Sequence, residues 1–237
     1  MPLPTISVPK YELKLPSNGQ KVKYRPYLVK EEKILMIALE SQDQMQILAA
    51  VKETIAACAN GAIDPDKLAV FDLEYMFLKL RAKSVGEISN LNLKCIKCDK
   101  LSKVSINLDE IQVDVSALPK NTIKLTDKIG VVMTWPKVAL VSELVKADPS
   151  SNEKQSLAFD MILGCIESVY DEKGVYLAAD QTKDELNTFI ESLNQNQFAK
   201  IQSFIEATPK LQHQVNFACE HCKENNELLL KGLQNFF

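Results

Sequence analysis

Four of the six cysteines in this 237-residue chain form two C-x-x-C pairs, Cys95-Ile96-Lys97-Cys98 and Cys219-Glu220-His221-Cys222. Two-residue spacing lets both sulfurs of one turn face the same ion. Two such turns supply the tetrahedral thiolate set that zinc prefers. Alternating apolar and polar residues flank each pair, the pattern of a strand, a knuckle and a second strand, and these two units are the one internal similarity in the chain. About 120 residues part the pairs, against roughly 15–20 in a compact zinc ribbon, so the residues between them read as an insertion between two halves of one site. Sulfur filling all four positions leaves none open for a substrate. The expected cofactor is therefore one structural zinc, with Cys95, Cys98, Cys219 and Cys222 as its ligands. Lys94, Lys97, Lys100 and Lys223 flank the turns and would offset part of the thiolate charge. Two other chemistries use the same residues. A redox pair needs its first cysteine at a helix N-terminus, whereas both turns here run into polar, strand-like residues. A cross-linking disulfide, or simple reduced thiols, is the other.

The remaining reactive residue types have plainer explanations. Cys58 ends an apolar helix and Cys165 falls within another, so both read as small buried hydrophobes. His213 and His221 are the only histidines, and surface positions are expected for both, with His221 close enough to the second knuckle to be an outer donor or alternative ligand. No serine or cysteine nucleophile accompanies them in a recognisable motif, and seven glycines form no phosphate-binding loop. Glu31-Glu32 and Asp184-Glu185 lie in first helical turns, where the helix dipole and capping account for them. No catalytic residues, small-molecule substrate or enzymatic activity are expected.

Apolar residues at 46% and charged residues at 25% describe an ordinary globular chain and exclude collagen-like, disordered and coiled-coil classes. A net charge of −3 gives no broad positive field, which argues against nucleic acid as the main partner. The N-terminal MPLPTISVPKYELKLP lacks the apolar run of a secretory signal, so a cytoplasmic start is expected, where paired cysteines are more often ligands or redox groups than disulfides. The stretch Ile34 to Leu39 is too short to cross a bilayer, and no membrane association is expected.

The elements that would position the cysteines follow from period and punctuation. Tyr11–Leu15 and Lys21–Tyr27 flank an Asn-Gly turn and predict a hairpin. Tyr24-Arg25-Pro26-Tyr27 reads as an edge strand ending at proline. Helices are predicted over Val29–Glu40, Asp43–Ala59 and Asp66–Lys83, with Ser41 and Gln44 as a capping box and Asn60-Gly61 as a stop. The third is apolar on several faces and reads as a central helix. Alternation from Val85 to Trp135 predicts strands, among them Ile123–Leu125 paired with Ile129–Trp135. Helices over Lys137–Ala147 and Ser151–Tyr170, the latter capped by Ser150 and Glu153, precede a short hairpin about Asp171–Gly174. A helix capped by Thr182 and Glu185 and another over Gln195–Ala207 lead to strands over Leu211–Phe217 and Glu227–Leu233. Asn235-Phe236-Phe237 carries two aromatics, read as part of an interaction surface. The fold class expected is α+β: a helical core with an N-terminal β-hairpin and a discontinuous zinc-ribbon-like β unit. Residues 1–90 hold the hairpin and helical segment, 91–135 and 208–237 the β unit with both knuckles, and 136–207 a helical insertion. One cooperative unit is expected, because the metal would close most of the chain into a loop.

Three blocks add a family likeness: the opening MPLPTISVPKYELKLPSNG, YRPYLVKEEKILMIALES from Tyr24 to Ser41, and FDLEYMFLKLRAKSVGE from Phe71 to Glu87. In these the chain resembles the baseplate hub subunits and hub-assembly proteins of T-even-like contractile-tailed bacteriophages. The resemblance implies a non-enzymatic part in building the baseplate hub in the host cytoplasm, with other hub proteins as partners. It carries over no catalytic or metal-binding residue, so the zinc expectation rests on spacing alone. A zinc-ribbon protein that binds nucleic acid or regulates is the rival class.

Overall fold

The computed structural model describes residues 6–116, 118–146 and 153–236. It divides into two compact units: residues 1–65, 71–114 and 210–237 make the first, and residues 66–70 and 115–209 the second.

The first unit opens with strands β1 (Tyr11–Lys14) and β2 (Lys21–Tyr24), paired antiparallel through a turn in which Gly19 takes φ +71°. As expected, β2 is an edge strand that stops short of Pro26; its Tyr24 is buried, and burial pushes the hydroxyl up to about 12. Helices α1 (Val29–Glu40) and α2 (Gln44–Cys58) follow. The expected Ser41 cap is corrected. Ser41 closes α1, its hydroxyl donating to the Ala38 carbonyl, and Gln42 reverses the chain at φ +54°. Asp43 then caps α2, accepting the Met45 N–H at 2.8 Å. Asn60 and Gly61, both at positive φ, end α2, with the Gly61 N–H returning to the Ala56 carbonyl. A 3-10 turn at Pro65–Lys67 precedes α3 (Val70–Ser84), which buries Phe71, Met76, Leu78 and Leu80 on several faces as a central helix must. Its Asp72 accepts both the amide and the hydroxyl of Ser17, so the first hairpin turn is pinned to it.

Two more hairpins complete this unit. β3 (Ile88–Lys94) pairs with β4 (Leu101–Asn107), and β9 (Gln212–Ala218) with β10 (Asn225–Lys231). Within the alternating stretch 85–135, Val113 forms no strand but one isolated bridge, to Leu211. The expectation of a terminal aromatic surface is corrected for Phe236, which is fully buried with its carbonyl accepting the Ser89 hydroxyl; Phe237 lies outside the described residues.

The second unit is a four-stranded antiparallel sheet with helices. Its order is β5 (Thr122–Lys124), β6 (Gly130–Met133), β7 (Ile166–Tyr170) and β8 (Val175–Leu177), so β5 and β6 join this sheet rather than the cysteine hairpins. α4 (Val138–Lys146), α5 (Glu153–Gly164), α6 (Lys183–Glu191) and α7 (Gln195–Glu206) accompany it. The helix expected to reach Tyr170 ends at Gly164, because Ile166–Tyr170 is taken up between β6 and β8. The segment 136–207 is thus not purely helical. Ser150, its proposed cap, lies outside the described residues. The Thr182–Glu185 capping box forms as expected, with both reciprocal bonds present. Val131, Met133, Ile166, Ile201 and Phe204 fill the core, where Trp135 stacks on Phe204 at 4.4 Å.

Candidate metal centre

The two cysteine turns are copies of one another. Cys219 follows Cys95 by 124 residues (219 − 95), and the same offset relates β3 to β9 and β4 to β10, residue for residue. In the first turn the Cys95 N–H donates to the Lys100 carbonyl and the Asp99 N–H to the Cys95 carbonyl; in the second, Cys219 pairs with Glu224 and Lys223 with Cys219. Asp99 and Lys223 occupy the left-handed region at φ +59° and +61°, the reversal that sends each chain into its second strand. Each turn then aims amide protons at its first sulfur. Lys97 N–H reaches Cys95 Sγ, and His221 N–H reaches Cys219 Sγ, both at 3.4 Å.

All four sulfurs lie within 4.8 Å of one another. Across the hairpins Cys95 Sγ is 3.7 Å from Cys222 Sγ, and Cys98 Sγ is 3.6 Å from Cys219 Sγ. Cys95 and Cys219 are fully buried, Cys98 is half-buried and Cys222 is exposed, so the cluster sits at the rim of its unit. The electrostatics match this arrangement. The Cys222 amide, then the Ser102 hydroxyl and the His221 amide, outweigh burial and draw the Cys219 thiol down to about 5. The Cys98 amide does the same for Cys95 in direction. At Cys222 the Glu224 amide pulls down, but burial and the three facing sulfurs prevail and push it up to about 12. Thiolates this close repel unless a cation lies among them. Four soft donors, amide protons already directed at two of them and a span of 4.8 Å fit a thiolate-preferring divalent ion such as zinc.

The other residues singled out fall elsewhere. Burial pushes the Cys58 thiol up to about 11 and the Cys165 thiol up to about 12, as inert core thiols. Cys165 sits just after α5 rather than inside a helix. His213 is half-buried, whereas exposed His221 turns its ring Nε2 to the Leu101 carbonyl at 3.2 Å. Of the flanking lysines, Lys94 pairs with Asp99 and Lys97 with Glu224. Glu31 caps α1 as expected, accepting the N–H of the N-cap Leu28 at 2.8 Å, and beyond that it is buried and bonds Arg25 at 2.7 Å. Charge spacing on a helix does not reveal this pair, since Arg25 lies before the helix begins.

These geometries place a cysteine cluster in a mixed α/β chain, and comparison with known families says which. The family described as T4 bacteriophage base plate protein matches residues 8–237. The chain belongs to this family. It is a structural protein of a T4-like phage tail baseplate, and its partners include other baseplate proteins. Comparison with curated proteins and with solved structures finds no match. Among the described residues of this baseplate protein, no helix is long and apolar enough to cross a membrane.

Proposed function

We propose that this baseplate protein acts at the hub, as a hub component or as a factor in hub assembly within the host cytoplasm, and that it works by holding partner proteins rather than by catalysis. A rigid surface that orients its partners lowers the entropic cost of their association. The observation that carries this reading is the outward face of α1. The helix buries only Glu31, Leu35 and Ala38, a single narrow stripe. Val29, Met36, Ile37 and Leu39 point outward and are each more than half exposed. Beside them runs an apolar groove lined by Leu35, Met36, Leu39, Val51, Phe77 and Val85. A contiguous apolar surface of this kind marks a contact site, and the family supplies the partner class, another baseplate protein.

In the same reading the cysteine cluster is a zinc-ribbon-like structural centre holding one zinc ion. Cys95, Cys98, Cys219 and Cys222 would be its ligands, and the zinc would join the two hairpins. Co-expression with candidate hub proteins, followed by size exclusion and metal analysis of the same peak, tests both parts. A complex that is lost in a Met36→Glu, Ile37→Glu variant supports the hub role. Absence of a complex with any hub protein overturns it, and a metal-free wild-type peak from chelator-free buffer overturns the zinc centre.

A further inference from the structure

The two hairpins meet through a reciprocal exchange that the cysteines alone do not explain. At the second residue of each second strand stands a fully buried polar side chain, Ser102 on β4 and Asn226 on β10, 1% and 2% exposed. These positions are equivalent under the 124-residue offset (226 − 102). Each side chain reaches across to the other hairpin. Ser102 Oγ accepts the N–H of Glu220, the residue after Cys219, at 3.1 Å and donates to Cys219 Sγ at 3.6 Å. Asn226 Oδ1 accepts the N–H of Ile96, the residue after Cys95, at 2.9 Å. Its Nδ2 donates to the Glu224 carbonyl at 2.9 Å.

An apolar side chain would fill either position without the burden of a buried polar group, whose bonds must all be met inside the protein. Here every bond to the opposite hairpin ends on a knuckle, at the first cysteine's sulfur or at the next amide. Hydrogen bonds to a ligand sulfur orient its lone pairs and temper its charge, as outer partners of metal ligands do.

We propose that Ser102 and Asn226 are the positioning residues of the cysteine site, each carried by one hairpin and acting on the other's knuckle. Retention of a thiolate-bound metal then depends on both. This rests on the zinc reading above. Each knuckle is thus bonded by its own turn and by the opposite hairpin, which couples metal retention to hairpin docking.

The test uses the full chain loaded with zinc, and separately with cobalt, under reducing conditions. Ser102→Ala and Asn226→Leu should each speed metal transfer to a chromogenic chelator by about 10- to 100-fold and shift the cobalt–thiolate absorption bands. Asn226→Ser installs the residue of the equivalent position and should restore slow release. Ser102→Ala deletes one atom and Asn226→Ser puts a smaller polar group in place of the carboxamide, so both variants should keep the fold. Unchanged release and unchanged cobalt spectra, with only a lower unfolding midpoint, would show two packing residues and overturn the proposal. Wild-type protein that takes up no metal overturns the zinc reading and this inference with it. Metal binding without variant effects removes this inference alone.

Discussion

Stripping the proposed metal from the cysteine cluster should destabilise the unit that carries it by about 5 kcal/mol, because an ion held there would cross-link the chain over a long loop. The bond network joins Cys95 to Cys222, 127 residues apart. Closing a loop of that length removes about 16 cal/mol/K from the denatured chain, or about 5 kcal/mol at room temperature. For a chain of this size each kcal/mol moves the unfolding midpoint by about 2–4 °C, so removal of the ion lowers it by at least about 10 °C. Calorimetry with and without a chelator, in a phosphine reductant, measures this directly. Cys219→Ser should reproduce the drop, and chelator added to that variant should have little further effect, since both act on one cross-link. Cys58→Ser should leave metal content unchanged, because that thiol is buried away from the four-sulfur group. An unchanged midpoint after one bound equivalent has been removed would refute the loop argument.

Two further outcomes check the packing within each unit. Glu31→Gln should cost about 3 kcal/mol by leaving the Arg25 guanidinium poorly paired in the interior, read by urea denaturation. Burial raises the Glu31 carboxyl, but Arg25 and the Leu28 amide outweigh it and hold it below the ordinary carboxylate value of 4.5. A lowered folded value means that the stabilisation is complete above the unfolded value and is lost as pH falls through the folded one. The gap between wild type and Glu31→Gln should therefore be full at neutral pH and narrow as pH falls below the ordinary carboxylate value of 4.5. A gap that stays constant would show that the ion pair is not its source. In the second unit, Ile201→Ala should cost about 3 kcal/mol by opening a cavity beside Val131, Met133 and Phe204. Metal content should stay at its wild-type value, which atomic absorption of the purified variant checks.

Much of the local structure was readable because it depends on residues close together in the chain. Asn18-Gly19 turns the first hairpin, Asn60-Gly61 stops α2, and Thr182 with Glu185 starts α6, each through bonds spanning a few residues. The errors came where distant partners outvoted local period. Ile162, Cys165, Ile166 and Val169 keep a helical spacing, yet β6 and β8 take Ile166–Tyr170 into a sheet. Ser41 and Gln44 have the letters of a capping box, but α1 uses Ser41 to finish and Asp43 caps α2 instead. Arg25 and Glu31, and Phe236 with Ser89, are tertiary partners with no sequence signal.

The cysteine site divides the same way. Spacing alone determined that Cys95 with Cys98, and Cys219 with Cys222, would each form a two-sulfur turn, because C-x-x-C between strands constrains the backbone locally. Only the tertiary structure decided that the turns converge to within 4.8 Å across some 120 residues, and that Ser102 and Asn226 stand behind them. Convergence over such a loop is set by how α3 and the two hairpins pack into one core. No pattern within a single hairpin encodes the other hairpin's position.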